Sequence, residues 1–135
     1  SGGGLFGKGG LSFQGILGEG VGKNDTTTSV SMPVNTYLWR GALNTIDFMP
    51  ISSADPIGGT IITDWYSTSN NENERCKLNI FISGKKLSTE NLKVTSFCQE
   101  YKNQNWINLK TSDEDDIKLE NAILNKAKKL KLQSS

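Results

Sequence analysis

Histidine is absent from this chain of 135 residues, and cysteine occurs only twice. The absence of histidine removes the most common general base and the most common metal ligand together. No apolar run approaches the roughly 18 residues that a membrane-spanning helix requires. The formal net charge of +1 gives no overall argument for a nucleic-acid partner. We therefore expect a protein that is not an enzyme and that needs neither a cofactor nor a metal.

Glycine is distributed very unevenly along the chain. Ten of its 14 glycines precede Lys23, and the apolar residues among them follow neither a strand period nor a helix period. This composition predicts a flexible tether over residues 1–34, followed by an α+β domain over 35–132 and a short tail over 133–135. The alternative for the first segment is that its apolar residues dock on a membrane or on the domain itself.

Two helices are predicted at the ends of the domain. The first spans about Thr36 to Ile46, with Asn35 as its N-cap and an apolar stripe along one side. The second spans about Asp113 to Lys131 and is capped by Ser112. Its acidic first turn and lysine-rich last turns both suit the helix dipole.

Strand patterns fill the sequence between these helices. Four strands are predicted, with a short fifth: Phe48–Ser53, Thr60–Tyr66, Cys76–Ser83, Leu92–Tyr101 and Trp106–Leu109. In the third and fourth strands the even-numbered residues are mostly apolar, so the even face is assigned to the core. The pattern predicts an α+β two-layer sandwich in the order α-β-β-β-β-(β)-α. A four- or five-stranded antiparallel sheet would carry both helices on one face.

The two cysteines fall on the predicted even face. Folding the third and fourth strands about Leu87 or Ser88 brings Cys76 and Cys98 opposite or diagonal to each other. An oxidising compartment would permit a disulfide between them. The alternative is a pair of small buried hydrophobic residues, because a disulfide also needs Cα atoms within about 7 Å.

Aromatic residues interrupt the polar odd face. Phe81, Phe97 and Tyr101 lie there, with Trp65 or Tyr66 as a further member, and exposed aromatic clusters often mark interaction sites. The alternatives are ordinary cross-strand pairing and cover by the N-terminal segment. Aromatic residues with lysines also occur on RNA-binding sheets, but no glycine–aromatic RNA-binding signature is present, so no nucleic acid is expected.

Several blocks of sequence, in order, resemble an uncharacterised family of alphaproteobacterial envelope proteins, many of which look like exported lipoproteins. The blocks are LWRGALNTIDFMPISSADPIGGTIITDWYS, NERCKLNIFISGKKL, LKVTSF and LENAILNKAKKLK, and the resemblance covers about residues 35–131. The element order also resembles the helix-grip domains of BamC, the barrel-assembly lipoprotein. That second likeness concerns the fold and says little about function.

The family resemblance implies a location and a class of function. It implies a domain on the periplasmic side of the envelope, anchored to the outer membrane through a lipid on a cysteine upstream of Ser1. The expected function is a non-enzymatic protein-interaction or assembly module with an envelope protein as its partner. The alternative is a periplasmic carrier that holds a lipid or small apolar ligand between the sheet and a helix.

Overall fold

A computed structural model describes residues 32–134 of the chain. Residues 32–134 contain two α-helices and six β-strands, joined in part by a short 3-10 helix at Thr89–Asn91. The helices are α1 (Thr36–Thr45) and α2 (Asp113–Gln133). The strands are β1 (Ile51–Asp55), β2 (Thr60–Thr63), β3 (Tyr66–Thr68), β4 (Asn71–Ile82), β5 (Leu92–Lys102) and β6 (Asn105–Leu109). The predicted α+β sandwich and its element order are confirmed.

The strands form one antiparallel sheet in the order β1-β2-β4-β5-β6, and β3 pairs with β4 beyond the end of β2. The sheet has six strands, rather than four or five, because the predicted strand Thr60–Tyr66 is divided in two. At the division, the Asp64 N–H donates to the carbonyl of Pro50, and the Trp65 N–H donates to the Asp64 carboxylate. Neither N–H therefore takes part in the ladder with β4.

The long pair β4–β5 is the centre of the sheet. Its register runs without a break from Glu74 opposite Glu100 to Ile82 opposite Leu92. As predicted, the even-numbered apolar residues of these strands face the helices. The core joins them to residues of α1, α2 and β2, and its most completely buried members are Leu38, Ile46, Ile61, Ile80, Ile82, Val94 and Ile123.

Asn35 holds the start of α1 against the turn between β4 and β5. Its side-chain oxygen accepts the Leu38 N–H at 2.9 Å, which is the predicted N-cap. Its backbone N–H donates to the carbonyl of Gly84, and its side-chain amide donates to the carbonyl of Lys85. One residue therefore both starts the helix and positions it over the sheet.

The boundaries of the domain extend beyond the predicted ones at both ends. Val34 is buried in the core and Met32 packs against it, so these residues belong to the domain and not to a tether. The rest of the predicted tether, residues 1–31, lies outside the described residues. At the other end α2 continues to Gln133, and the hydroxyls of Ser134 and Tyr37 lie 2.8 Å apart, so the predicted tail begins too early.

The second helix also covers an open edge of the sheet. Because β6 pairs with only the second half of β5, the first half has a free outer edge. There the Glu120 carboxylate accepts the Val94 N–H at 2.9 Å, and the Ser96 hydroxyl donates to Asp116 at 2.6 Å. Neither of the two helices described in residues 32–134 is long and apolar enough to cross a membrane.

Helices α1 and α2 run antiparallel and pack closely at Gly41. A Cβ added at this glycine would lie 3.0 Å from the Ala127 nitrogen and 3.0 Å from the Ile123 carbonyl oxygen. Both atoms belong to the backbone of α2, so they cannot move aside as a flexible side chain would. Glycine at position 41 thus sets the distance between the helices.

We predict that Gly41→Ala destabilises the domain even though alanine is the better helix former. The helix propensity gain of about 1 kcal/mol is smaller than the overpacking cost of about 1–3 kcal/mol. Urea unfolding should show a lower free energy of unfolding. The control is Asn125→Ala on the exposed side of α2, which should leave stability unchanged or slightly raised. A more stable Gly41→Ala protein would contradict the close packing.

Candidate interaction surface

The side of the sheet that faces away from the helices is called the open face below. It consists of the residues at odd positions of β4 and β5 and of those paired with them in the neighbouring strands. Its main members are Ile62, Arg75, Lys77, Asn79, Phe81, Lys93, Thr95, Phe97, Gln99, Tyr101, Trp106 and Asn108. Tyr101 is 44% exposed, and Phe81 and Phe97 are similarly exposed, so apolar aromatic surface is presented here.

Charges separate between the two sides of the central strands. The open face of β4, β5 and β6 carries Arg75, Lys77 and Lys93 but no carboxylate. The carboxylates of these strands (Glu72, Glu74 and Glu100) are at even positions, on the helix side. Asp55 is the acidic residue at an open-face position of β1, and its carboxylate accepts the Ile57 N–H within its own turn. The central open face is therefore positively charged.

Arg75 lies between two tryptophans on this face. Its guanidinium carbon is 4.4 Å from the centroid of the Trp65 ring and 4.1 Å from that of the Trp106 ring. These distances are within the range of favourable cation–π contact. The Lys77 ammonium also lies over Trp65, at 4.9 Å, and Tyr101 packs against Trp106 with centroids 5.1 Å apart.

Hydrogen bonds fix the orientation of the same guanidinium. Nε and Nη2 of Arg75 both donate to the side-chain oxygen of Gln99, at 2.9 and 2.6 Å. The Gln99 amide in turn donates to the side-chain oxygen of Asn108 at 2.9 Å. Within residues 32–134 the guanidinium has no carboxylate partner. Arg75 is thus a half-buried, oriented cation that is stabilised by two aromatic rings and an amide oxygen and keeps its full charge.

Two local features bring the tryptophans to Arg75. Asn103 and Gln104 both have positive φ, 53° and 67°, and form a two-residue hairpin turn that places Trp106 opposite Tyr101. The division between β2 and β3 places Trp65 outside the regular ladder, over the side chain of Arg75. The Thr63 hydroxyl supports this division, because it accepts the Leu78 N–H at 2.8 Å.

The four predicted surface residues share the open face but form a row and not one cluster. Phe81 is opposite Lys93, and Phe97 is opposite Lys77, four residues further along β4. At about 3.3 Å per residue, this separation is roughly 13 Å. The ring contact of Tyr101 is with Trp106, and Trp65 stacks on Arg75. The alternative candidate Tyr66 is opposite Cys76 on the helix side, where it packs edge-on against Phe48.

Sequence reasoning did not select Arg75, Gln99, Trp106 or Asn108. The alternation of odd and even positions that selected Phe97 also places Arg75 and Gln99 on the same face. The sequence therefore contained the signal that would have found these two residues. The pairing of Trp106 with Tyr101 follows from a two-residue turn at Asn103, a residue that tolerates positive φ. The stacking of Trp65 on Arg75 has no comparable signal in the sequence, because it depends on an interruption of the sheet.

Cys76 and Cys98 are directly opposite in the β4–β5 register and are joined by a disulfide, with their Cα atoms 4.1 Å apart. Glu74 brings a carboxylate oxygen within 4.8 Å of both sulfurs. Joined in a disulfide, the sulfurs offer no thiolate to a metal ion. The disulfide lies on the helix side, and the adjacent pair, Arg75 opposite Gln99, lies on the open face.

Comparison with known proteins identifies the family of this chain. Residues 32–132 match a family described as a domain of unknown function, DUF3576. The chain belongs to the DUF3576 family. It is also 41% identical, over 130 residues, to an uncharacterised protein of Rickettsia prowazekii (strain Madrid E), an alignment that covers 96% of this chain and 75% of that protein.

Membership in DUF3576 confirms the predicted resemblance to an uncharacterised family. The matched region begins at Met32 and so coincides with the start of the described domain. The envelope location and the likeness to BamC remain predictions. The family description assigns no activity.

We predict that the disulfide stabilises the DUF3576 domain by reducing the conformational entropy of its unfolded chain. A bond closing a sequence separation of 22 residues contributes about 3 kcal/mol by loop entropy. The double variant Cys76→Ala/Cys98→Ala should lose this amount in urea unfolding. The wild-type protein measured with a thiol reductant should match the double variant. An unfolding midpoint that does not respond to the reductant would contradict this assignment.

Proposed function

We propose that this protein is a non-enzymatic domain of the bacterial envelope that binds another protein through its open face. The observation that carries the proposal is the exposure of Phe97 and Tyr101 beside the oriented guanidinium of Arg75. Aromatic residues and arginine are the types most enriched where proteins bind each other tightly. Amide, aromatic and cationic groups suit binding, and they do not form the nucleophile–base arrangement of a catalytic site.

The proposed location is the periplasmic side of the envelope, with a lipid anchor upstream of Ser1 and attachment to the outer membrane. The family resemblance motivates it, and the Cys76–Cys98 disulfide supports it, because such bonds persist mainly in oxidising compartments. The same anchor would hold the domain at the membrane while its open face engages an envelope protein. Mass spectrometry of the N-terminus of the native protein would test the anchor directly.

The carrier function is the second candidate, and the packing favours it less. A carrier would hold its ligand between the sheet and the helices, where Leu38, Ile46, Ile80 and Ile123 are almost completely buried against one another. A ligand at this position would have to displace them. The open face, by contrast, presents its apolar groups without any rearrangement of the described core.

We predict that the double variant Phe97→Ala/Tyr101→Ala weakens binding of the partner without unfolding the domain. Both side chains are more than two-fifths exposed, so their loss should reduce affinity about tenfold or more with little effect on stability. The measurement is affinity purification of the full-length protein from its own envelope, with mass spectrometry of the proteins that accompany it.

The matched control is Ile117→Ala, which removes an exposed apolar side chain from α2 instead. It should retain every companion of the wild-type protein. Companions retained by the aromatic double variant but lost from the Ile117 variant would place the interaction on the helices. Co-purification of a lipid or small apolar molecule in place of a protein would favour the carrier.

A further inference from the structure

We propose that the open face recognises an acidic segment of its protein partner, and that Arg75 binds one of the carboxylates of this segment. This inference rests on the proposed function, which calls for a protein partner, and it adds the chemistry of that partner. The decisive feature is an arginine that is held in place by its neighbours and has no acidic partner of its own in the described chain.

The hydrogen-bonding capacity of Arg75 is only partly used. A guanidinium has five N–H donors, and the structure gives two nitrogens, Nε and Nη2, a shared acceptor in Gln99. The rings of Trp65 and Trp106 lie against the guanidinium carbon, and no hydrogen bond within residues 32–134 engages Nη1. A carboxylate approaching in the plane of the guanidinium can accept from the edge that carries Nη1, which is the usual geometry of arginine–carboxylate pairs.

The orientation of Arg75 is established before any partner binds. Gln99 is held by Asn108, and Trp106 is held by Tyr101 through the two-residue turn at Asn103. On the opposite side of the sheet, the disulfide joins the two strands at the adjacent pair of residues. Ordering of long side chains is a substantial cost of binding, so a prearranged arginine binds a carboxylate with less loss of entropy.

The surroundings of Arg75 favour negative charge over a neutral ligand. Lys77 lies over the same Trp65 ring as Arg75, Lys93 lies further along the same face opposite Phe81, and β4, β5 and β6 contribute no carboxylate to this face. Complementary potential of this kind selects partners and accelerates their encounter. The exposed rings of Phe97 and Tyr101 would contact apolar side chains between the acidic residues of the segment.

An acidic protein segment fits these features better than a nucleic acid. Bases stack on free aromatic faces, whereas Trp65 and Trp106 already have cations or another ring against them. The exposed Phe97 and Tyr101 are four residues apart along β5, or roughly 13 Å. Three cations also neutralise few phosphates.

The three tryptophans of the chain provide a direct test with an internal reference. Trp65 and Trp106 flank Arg75, whereas Trp39 is only 2% exposed within the core. The full chain, labelled with ¹⁵N at its tryptophans, would be titrated with a synthetic peptide in which glutamate and leucine alternate. A twin peptide carries glutamine in place of glutamate, and oligodeoxythymidylate serves as the nucleic-acid probe.

We expect the acidic peptide to shift the indole signals of Trp65 and Trp106 while that of Trp39 stays in place. Its affinity should exceed that of the glutamine twin about tenfold and fall as salt is added. Equal binding of the two peptides, or no binding of the acidic one, would overturn the inference. Tighter binding of the oligonucleotide would overturn it in favour of a nucleic acid.

Substitutions of Arg75 separate its charge from its geometry. Arg75→Gln should weaken binding of the acidic peptide about tenfold. Arg75→Lys should restore only part of this loss, because lysine keeps the charge but not the planar fork. The charge-matched control Lys118→Gln lies at an exposed position of α2 and should bind the peptide like the wild-type protein. An Arg75→Gln protein that binds like the wild type would exclude this arginine.

The two proposals can fail separately. If envelope companions depend on Phe97 and Tyr101 but not on the charge of Arg75, the proposed function stands and the acidic chemistry is wrong. If no companion depends on Phe97 and Tyr101, the proposed function itself is wrong. Binding of the acidic peptide would then show only that the surface has an affinity for carboxylates.

Discussion

The register between β4 and β5 is the constraint on which the rest of the structure depends. Side chains alternate between the faces of a strand, so this pairing assigns every residue of the two strands to the core or to the open face. A slip of β5 by one residue against β4 would move Val94 out of the core and separate Cys76 from Cys98. It would also separate Arg75 from Gln99. One arrangement of backbone hydrogen bonds thus determines the core, the covalent bond and the candidate surface together.

The open face combines groups that stabilise one another without cancelling their charge. Arg75 is half-buried, and an unpaired buried charge is costly. Two indole rings and the Gln99 oxygen offset this cost without a carboxylate. An internal ion pair would instead have neutralised the charge of the arginine. The position of Glu72, Glu74 and Glu100 on the helix side likewise leaves the positive charge of the central open face without an acidic neighbour on β4, β5 or β6.

The local signals in the sequence predicted the parts of the fold that depend on neighbouring residues. Asn35 and Ser112 cap the helices as expected, and the alternation along β4 and β5 correctly identified the buried face. The predictions that were wrong concern contacts between distant segments. Val34 lies in the core because Asn35 binds the β4–β5 turn, and β2 separates from β3 because Pro50 and Thr63 take hydrogen bonds there.

For the candidate surface too, local sequence signals predicted the face of the sheet but not the contacts between strands. The alternation of odd and even positions placed Phe81, Phe97 and Tyr101 on one face. It could not show that Phe81 lies far from Phe97 along that face. Nor could it show that Trp65 leaves the ladder to stack on Arg75. Stacking between side chains from different strands depends on the three-dimensional register and on irregularities in it. Patterns within a single strand do not contain that information.

The carboxylate of Glu120 has a consequence for how copies of this domain behave when they are crowded. An exposed strand edge offers unpaired N–H groups on which another chain can add a strand, and this route leads to edge-to-edge aggregation. Glu120 accepts the N–H of Val94 from the outer edge of β5, and its charge would also repel an incoming carbonyl. The domain can therefore expose aromatic side chains on its open face while the nearby edge of the same sheet resists self-association.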